Sequence, residues 1–220
     1  MDKISIIIRC RNRLEYTVQV LNAVKLNTNW DNYEIILIDN DSTDGTEQWI
    51  KWMQINTDWY AGTLKYLKLD RNHGDWGGML MGLNHSSDHS KYIVQLDNDI
   101  IPEKNWLTSM VNVLNKTSYK VVMCKRENVA WKLKCLGQPI ELDGLQICHV
   151  ERAVACYMME KNLFAKIARK ISEKMGSQSK YIIAKHAKIA KILNVKCIEL
   201  EAPFQRQKYN PKNKQIWEKV

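Results

Sequence analysis

The sequence has no apolar run close to the ~20 residues that a helix needs to cross a bilayer. Its first residues, MDKISIII, include an acid and lead directly into a strand-like run, so they lack the layout of a secretory signal peptide. Only 4 of 220 residues are proline and 9 are glycine, while 45% are hydrophobic, which argues against a disordered or fibrous chain. These absences predict one soluble domain with a sizeable core, located in a bacterial or viral-host cytoplasm.

None of the six cysteines forms a C-x-x-C pair with another, and several lie within apolar runs. A structural zinc site would need a tighter grouping of cysteine and histidine. We therefore predict that the cysteines are reduced core residues, and that they form neither disulfides nor a zinc cluster.

Acidic residues are scarce in the second half of the chain, and the formal net charge is +9. A basic face indicates an anionic partner such as nucleic acid, a lipid headgroup surface or a nucleotide. A solvated helix surface that is rich in lysine accounts for the same composition equally well.

Four apolar runs alternate with helical patterns in the first half of the chain. The runs cover residues 4–8, 33–39, 64–70 and 92–97. This β-α-β-α-β-α-β order predicts a parallel sheet with helices on both faces. Ligands of such sheets bind at the carboxyl ends of the strands, where Asp39 ends the second run and Asp97 ends the fourth.

The segment LDNDIIP at residues 96–102 places Asp97 and Asp99 at the end of the fourth strand. One interpretation is a turn, because Asp and Asn favour turns and Pro102 follows. The other is a divalent metal site, since Mg²⁺ and Mn²⁺ bind through one or two carboxylates together with substrate phosphates. The neighbouring strand end at Asp39 favours the metal site.

Four segments stand in the order and spacing of family 2 nucleotide-sugar glycosyltransferases, which they resemble. They read SIIIRCRNRLEYTVQVLNAV, YEIILIDNDSTDGTEQWI, LDRNHGDWGGMLMGLN and YIVQLDNDIIPEKNWL. The resemblance implies an α/β, GT-A (Rossmann-like) single domain with a mostly parallel central sheet flanked by helices. Residues 1–110 would bind the donor and end in the D-x-D motif, 111–205 would bind the acceptor, and 206–220 would form a basic tail.

The resemblance also implies an activity, the metal-dependent transfer of a sugar from a UDP-sugar to a hydroxyl acceptor. Asp39 would contact the base, Asp99 would hold Mn²⁺ or Mg²⁺ on the diphosphate, and Asp97 would share the metal and reach the ribose or donor sugar. The remaining donor-binding residues would be Arg9, Cys10, Arg11, Asn12, Asn72, Gly74 and Trp76.

The sequence departs from the family pattern in two ways. Arg9 and Arg11 replace the usual proline and tyrosine, and could grip phosphates or form surface salt bridges. Trp76 replaces a small residue, and could stack on a sugar or base or pack in the core.

The family's late acidic pair, which activates the acceptor in inverting enzymes, has no counterpart between Met175 and Val195. Glu173 and His186 are the candidate bases, and His149 and Glu151 are further candidates. Inverting and retaining mechanisms both stay open.

Two other functions fit the basic second half. One is a phage-type glycosyltransferase whose acceptor is a hydroxylated base in DNA. The other is an inactive nucleic-acid-binding module with the same fold, which the missing acidic pair favours.

Overall fold

The computed structural model describes residues 1–127, 133–173, 183 and 187–200, with 171–173 as backbone only. The strands are β1 (Lys3–Cys10), β2 (Tyr33–Asp39), β3 (Leu64–Lys68), β4 (Ser90–Asp97), β5 (Ile100–Pro102), β6 (Val121–Glu127), β7 (Leu136–Leu142), β8 (Leu145–Val150), β9 (Cys156–Glu160) and β10 (Ile189–Glu199). The helices are α1 (Leu14–Asn27), α2 (Thr46–Asn56), α3 (Asp58–Thr63), α4 (Gly74–His85), α5 (Trp106–Lys116) and α6 (Lys161–Glu173).

All ten described strands belong to one sheet, whose main path runs β3-β2-β1-β4-β9-β6-β10-β8-β7, while β5 pairs with β10. The first four strands of this path are parallel, as predicted. Beyond β4 the sheet is mixed rather than mostly parallel, because β9 runs antiparallel between β4 and β6. The predicted α/β single domain with a central sheet is confirmed.

The core follows the apolar runs of the central strands. Residues 6–8 of β1 and 35–38 of β2 are fully buried. The helix α4 packs on β1 and β2, and α5 packs on β6 and β10. Strands that are covered on both faces need continuous apolar runs, which explains why these strands lack polar alternation. No helix of the described residues is both long and apolar enough to span a membrane.

The second half contains one wrong prediction of secondary structure. The spacing of apolar residues over 182–193 predicts a helix, but residues from Ile189 onward form the long strand β10. Ile189–Ile192 pair with β6 on one side and β8 on the other. A short apolar run fits a buried strand and a buried helix equally, so only its sheet partners decide. The predicted basic tail at 206–220 lies outside the described residues.

The prediction that all six cysteines are reduced is wrong for one pair. Cys135 and Cys148 form a disulfide with a Cα–Cα distance of 5.6 Å. The hairpin of β7 and β8 pairs Leu136 with His149, and this register brings the two cysteines together. Disulfides persist mainly in oxidising compartments, so this pair does not support the predicted cytoplasmic location.

Three other cysteines also lie closer together than their spacing predicts. The Sγ atoms of Cys124, Cys156 and Cys197 are within 4.8 Å of one another. Burial raises the pKa of the Cys156 thiol. Hydrogen bonds with the Cys156 and Cys197 thiols lower the pKa of Cys124 to about 5. All three side chains are fully buried where β6, β9 and β10 lie side by side.

Gly82 sets how closely α4 approaches the sheet. A Cβ atom at Gly82 would lie 2.4 Å from Cγ2 of Ile7, which is fully buried. We expect Gly82→Ala to lower the free energy of unfolding by about 1–3 kcal/mol, because the overlap forces α4 or β1 to shift. Urea denaturation followed by circular dichroism measures this change.

Gly62→Ala in α3 is the matched control, because a Cβ there meets nothing within 4 Å. That variant should be unchanged or more stable by up to about 1 kcal/mol, the gain in helix propensity. Equal stability of the two variants would contradict a close contact between Gly82 and Ile7.

Candidate active site

The carboxyl ends of β1, β2 and β4 meet at one edge of the sheet. The register pairs Cys10 with Asp39 on one side of β1 and Arg9 with Asp97 on the other. The two acids therefore flank the same strand end, as the sequence predicted. This edge is where open α/β sheets bind their ligands.

Asp39 is fully buried and is held through both of its carboxylate oxygens. Oδ1 accepts a hydrogen bond from the backbone N–H of Ser42 at 2.7 Å, and Oδ2 accepts one from the hydroxyl of Tyr66 at 2.6 Å. Burial and the bond to Asp39 raise the pKa of Tyr66, so the phenol keeps its proton and donates. These bonds fix the orientation of the carboxylate and leave it lone pairs for a further donor.

The loop after β1 is pinned to the loop after β2. The backbone N–H of Asn12 donates to Oγ of Ser42 at 2.8 Å, and Oδ1 of Asn12 accepts from the backbone N–H of Thr43 at 2.8 Å. Of the predicted donor-binding residues here, Arg11 is exposed and the thiol of Cys10 is buried. Burial also raises the pKa of that thiol. The loop forms a fixed wall beside Asp39.

The glycine-rich turn before α4 is fixed by two asparagines. Oδ1 of Asn72 accepts from the backbone N–H of Gly74 at 2.9 Å. The side chain of Asn40 accepts from the backbone N–H of His73 at 2.8 Å and donates to the carbonyl of Gly74 at 3.1 Å. Gly74 has a φ of +69°, in the left-handed region that favours glycine. The turn is thereby tied to the β2 end beside Asp39.

Asp97 belongs to a chain of polar side chains at the end of β4. Its Oδ1 accepts from Arg9 at 3.0 Å and from Gln95 at 3.2 Å. Arg9 also binds Asp75 at 2.6 Å, and the hydroxyl of Tyr157 donates to Gln95 at 2.5 Å. Burial raises the pKa of Asp97, and the charge of Arg9 acts in the opposite direction.

Asp99 lies at the turn between β4 and β5, where the chain leaves the sheet edge. Its Oδ2 is 3.4 Å from Nη1 of Arg13. Its backbone carbonyl accepts from the N–H of Leu200, just beyond β10. Burial and the nearby charge of Asp97 raise the pKa of Asp99, while Arg13 lowers it. The ionised forms of the two carboxylates at this strand end are therefore favoured by the nearby arginines.

A cavity of about 240 Å³ opens beside these groups. Its lining includes Arg9, Asp75, Trp76, Asp97, Arg126 and Tyr157. The Trp76 ring lies 6.4 Å from the ring of Phe164 on α6, so it packs against the core and lines the cavity at once. Arg126 at the end of β6 is ion-paired with Glu199 of β10. The cavity therefore lies between the end of β4 at Asp97 and residues of the second half of the chain.

The candidate bases do not converge on this cavity within the described side chains. His149 lies on β8, where Nδ1 is 3.1 Å from the carbonyl oxygen of Ile189, and Glu151 is exposed in the following loop. Glu173 ends α6 with its side chain outside the described atoms, and His186 lies outside the described residues. Both stay sequence predictions.

Several site residues were missed by the sequence interpretation. They are Arg13, Asn40, Tyr66, Gln95 and Arg126. Tyr66 lies in an apolar strand pattern. Its hydroxyl can be assigned to Asp39 only when β3 is placed beside β2. Arg13 directly follows the predicted loop of residues 9–12, and could have been found by extending that loop by one residue.

The family model described as Glycosyl transferase family 2 matches residues 5–170. A curated relative, the uncharacterized glycosyltransferase MG060 homolog of Mycoplasma pneumoniae, is 28% identical over 198 residues. That match covers 86% of this chain and 64% of the relative, so the chain spans less than two thirds of the relative's length.

Solved structures share the fold at low sequence identity. GalNAc-T7 with UDP, GalNAc and Mn²⁺ has a TM-score of 0.75 at 11% identity, over 96% of this chain and 45% of that one. The mannosyltransferase PcManGT from Pyrobaculum calidifontis, in complex with GDP-Man and Mn²⁺, has a TM-score of 0.64 at 12% identity, over 92% of this chain and 58% of that one. The predicted GT-A fold is confirmed by these likenesses.

The family match covers most of the chain, including β1, β2, the glycine-rich turn and the D-x-D strand end. The resemblance seen in four sequence segments and the arrangement of their side chains at one sheet edge agree with it. The chain therefore belongs to glycosyl transferase family 2.

Proposed function

We propose that this protein is a metal-dependent glycosyltransferase that moves a sugar from a UDP-sugar to a hydroxyl acceptor. The observation that carries the proposal is the convergence of Asp39, the Gly74 turn, Asp97 and Asp99 at one edge of the sheet. Asp39 suits a nucleobase N–H, and the turn allows a phosphate or sugar to approach its backbone closely. The UDP and Mn²⁺ named with GalNAc-T7 support the choice of donor and metal.

The residues at the D-x-D motif fit a hard divalent cation. Asp97 and Asp99 offer carboxylate oxygens, the ligands that Mg²⁺ and Mn²⁺ prefer. Both acids already lie beside a guanidinium, at 3.0 Å for Arg9 and 3.4 Å for Arg13, so the site attracts positive charge. When bound, the metal would act as a Lewis acid on the departing diphosphate.

Other side chains of this protein would orient the donor relative to the metal ion. The buried Asp39 would accept from the base, and its bonds to Ser42 and Tyr66 would hold it in place. The Arg9 guanidinium, held by Asp97 and Asp75, would form the floor of the sugar cavity. Trp76 would cover the sugar and exclude water from it. Glu173 and His186 stay the candidates for activating the acceptor.

Removal of the Asp99 carboxylate tests whether the activity depends on a metal ion bound there. Asp99→Asn should reduce Mn²⁺-dependent hydrolysis of UDP-sugars by at least about 100-fold, the effect of losing one group that stabilises developing charge. Hydrolysis is measured as UDP released from a panel of UDP-sugars, with and without chelator.

Asp143→Asn is the control, because it removes an exposed acid whose partners are Asn112 and Lys116 on α5. It should leave hydrolysis unchanged. Wild-type protein that neither hydrolyses a donor nor gains thermal stability with any nucleoside diphosphate and Mn²⁺ would rule out the proposed enzyme.

Two substitutions test the base site. Tyr66→Phe removes the hydroxyl that orients Asp39 and should weaken UDP binding about 10-fold, since a bond to a charged group is worth about 1.5–3 kcal/mol. Asp39→Asn places an amide in the same position and should weaken UDP more than it weakens other nucleotides. Isothermal titration with UDP, GDP and CDP at saturating Mn²⁺ measures both effects.

Tyr119→Phe is the matched control, since Tyr119 stacks on His149 at a ring distance of 6.0 Å and does not line the cavity. Unchanged UDP affinity in both Tyr66→Phe and Asp39→Asn would remove this assignment of the base site.

A DNA acceptor is a second candidate, which the outer face of α6 favours. Lys166 and Lys170 are exposed there, while Phe164 and Ile167 on the same helix are buried. The helix α6 also contacts α4, whose Trp76 lines the cavity. A basic face beside the cavity could follow a phosphate backbone.

If DNA is the acceptor, its binding should weaken steeply with salt, by a log-log slope of about 0.9 for each phosphate contacted. The double variant Lys166→Glu/Lys170→Glu should lower that slope, and Lys104→Glu/Lys120→Glu, which changes two other exposed lysines, should not. Fluorescence anisotropy with a labelled duplex measures the slope.

Salt-insensitive or absent binding would remove the DNA acceptor. Salt-dependent DNA binding without donor hydrolysis or nucleotide binding would instead favour the inactive nucleic-acid-binding module.

A further inference from the structure

Arg13 lies between the donor-binding loop and the D-x-D motif. It directly precedes α1, and its Nη1 atom is 3.4 Å from Oδ2 of Asp99. The guanidinium also lies 6.0 Å from the centre of the Tyr16 ring. The Arg13 side chain is 40% exposed, so it is free to turn towards solvent or a ligand.

The backbone that carries Arg13 is held in an unusual conformation. Asn12 and Arg13 have φ values of 58° and 59°, both in the left-handed region that residues other than glycine rarely adopt. Bonds on either side keep them there, from Asn12 N–H to Ser42 and from Leu14 N–H to Oδ2 of Asp44 at 2.9 Å. Such strained positions persist where the surrounding structure enforces them, and they occur often at ligand clamps.

Arg9 and Arg13 pair with the two acids of the motif in different ways. Arg9 is mostly buried and is shared between Asp97 and Asp75, so it is fixed in the cavity floor. Arg13 meets Asp99 through a single longer contact at a more exposed position. Arg13 is therefore the arginine that can leave its carboxylate.

A divalent cation held by Asp99 would compete with Arg13 for a carboxylate whose Oδ2 lies 3.4 Å from Nη1 of the arginine. The two cations repel each other, so Arg13 must turn away when the metal binds. A diphosphate brought by the metal offers acceptors for the released guanidinium, which binds phosphate oxygens in a bidentate manner.

We propose that Arg13 is a switch that pairs with Asp99 in the empty site and moves to the donor diphosphate when metal and nucleotide bind. This role rests on the proposed function, which supplies the diphosphate. It makes metal and nucleotide binding cooperative, because the metal alone must break the pair between Arg13 and Asp99 without providing a new partner. Metal alone then binds weakly, and metal with nucleotide binds tightly.

Removing the guanidinium should move the two affinities in opposite directions. Arg13→Ala is expected to bind Mn²⁺ alone about 5-fold more tightly, because the competing charge is gone, and UDP at saturating Mn²⁺ about 10-fold more weakly. Electron paramagnetic resonance of free Mn²⁺ measures the first affinity, and isothermal titration measures the second. Arg13→Lys keeps a charge but loses the bidentate geometry, so Mn²⁺ affinity should stay near wild type while UDP affinity falls.

Arg13→Gly keeps the experiment decisive if Arg13→Ala does not fold, because glycine adopts the left-handed conformation without strain. Lys120→Ala removes one exposed positive charge directly before the first residue of β6 and should change neither affinity. Unchanged or weaker Mn²⁺ binding in Arg13→Ala and Arg13→Gly would overturn the switch, as would unchanged UDP binding in these two variants, while the proposed enzyme would stand. Wild-type protein that binds neither Mn²⁺ nor UDP would overturn both.

Discussion

The parallel pairing of β1 between β2 and β4 is the constraint on which the candidate site depends. This register sets Asp39 beside Cys10 and Asp97 beside Arg9 at the same sheet edge. A shift by one residue would turn the side chains of a strand to the opposite face and separate the acids. The isoleucines of β1 and β2 are fully buried on both faces of the sheet, and a slip would break fitted contacts such as that of Ile7 with Gly82. The same strand register therefore sets both the packing of the core and the geometry of the site.

The site concentrates carboxylates and balances them with arginines from the first loop. Asp97 and Asp99 end a strand whose preceding residues are buried, so their charges are costly without a partner. Arg9 and Arg13 supply that partner from β1 and the start of α1. The arginine that replaces the family's usual proline is mostly buried and pairs with Asp97 at the strand end and with the exposed Asp75. The candidate site already holds positive charge where the proposed metal would bind.

The sequence predicted the first half of the fold well and the second half less well. Strands β1, β2 and β4 are long apolar runs separated by strong helical patterns, and each lies within two residues of its predicted bounds. The pattern near Ile189 was misjudged, because short apolar runs lack the length that separates helix from strand. The cysteine pair was missed because a 13-residue separation says nothing about a hairpin register until the hairpin is placed.

The sequence by itself determined the family, the GT-A fold and the placing of Asp39 and Asp97 at adjacent strand ends, because local patterns and motif order carry that information. The tertiary structure decided which side chains surround those acids. Tyr66 reaches Asp39 from β3, Gln95 and Tyr157 meet across β4 and β9, and Arg13 reaches Asp99 over 86 residues of sequence. Such contacts depend on strand order and loop conformation, which arise only when distant segments pack together.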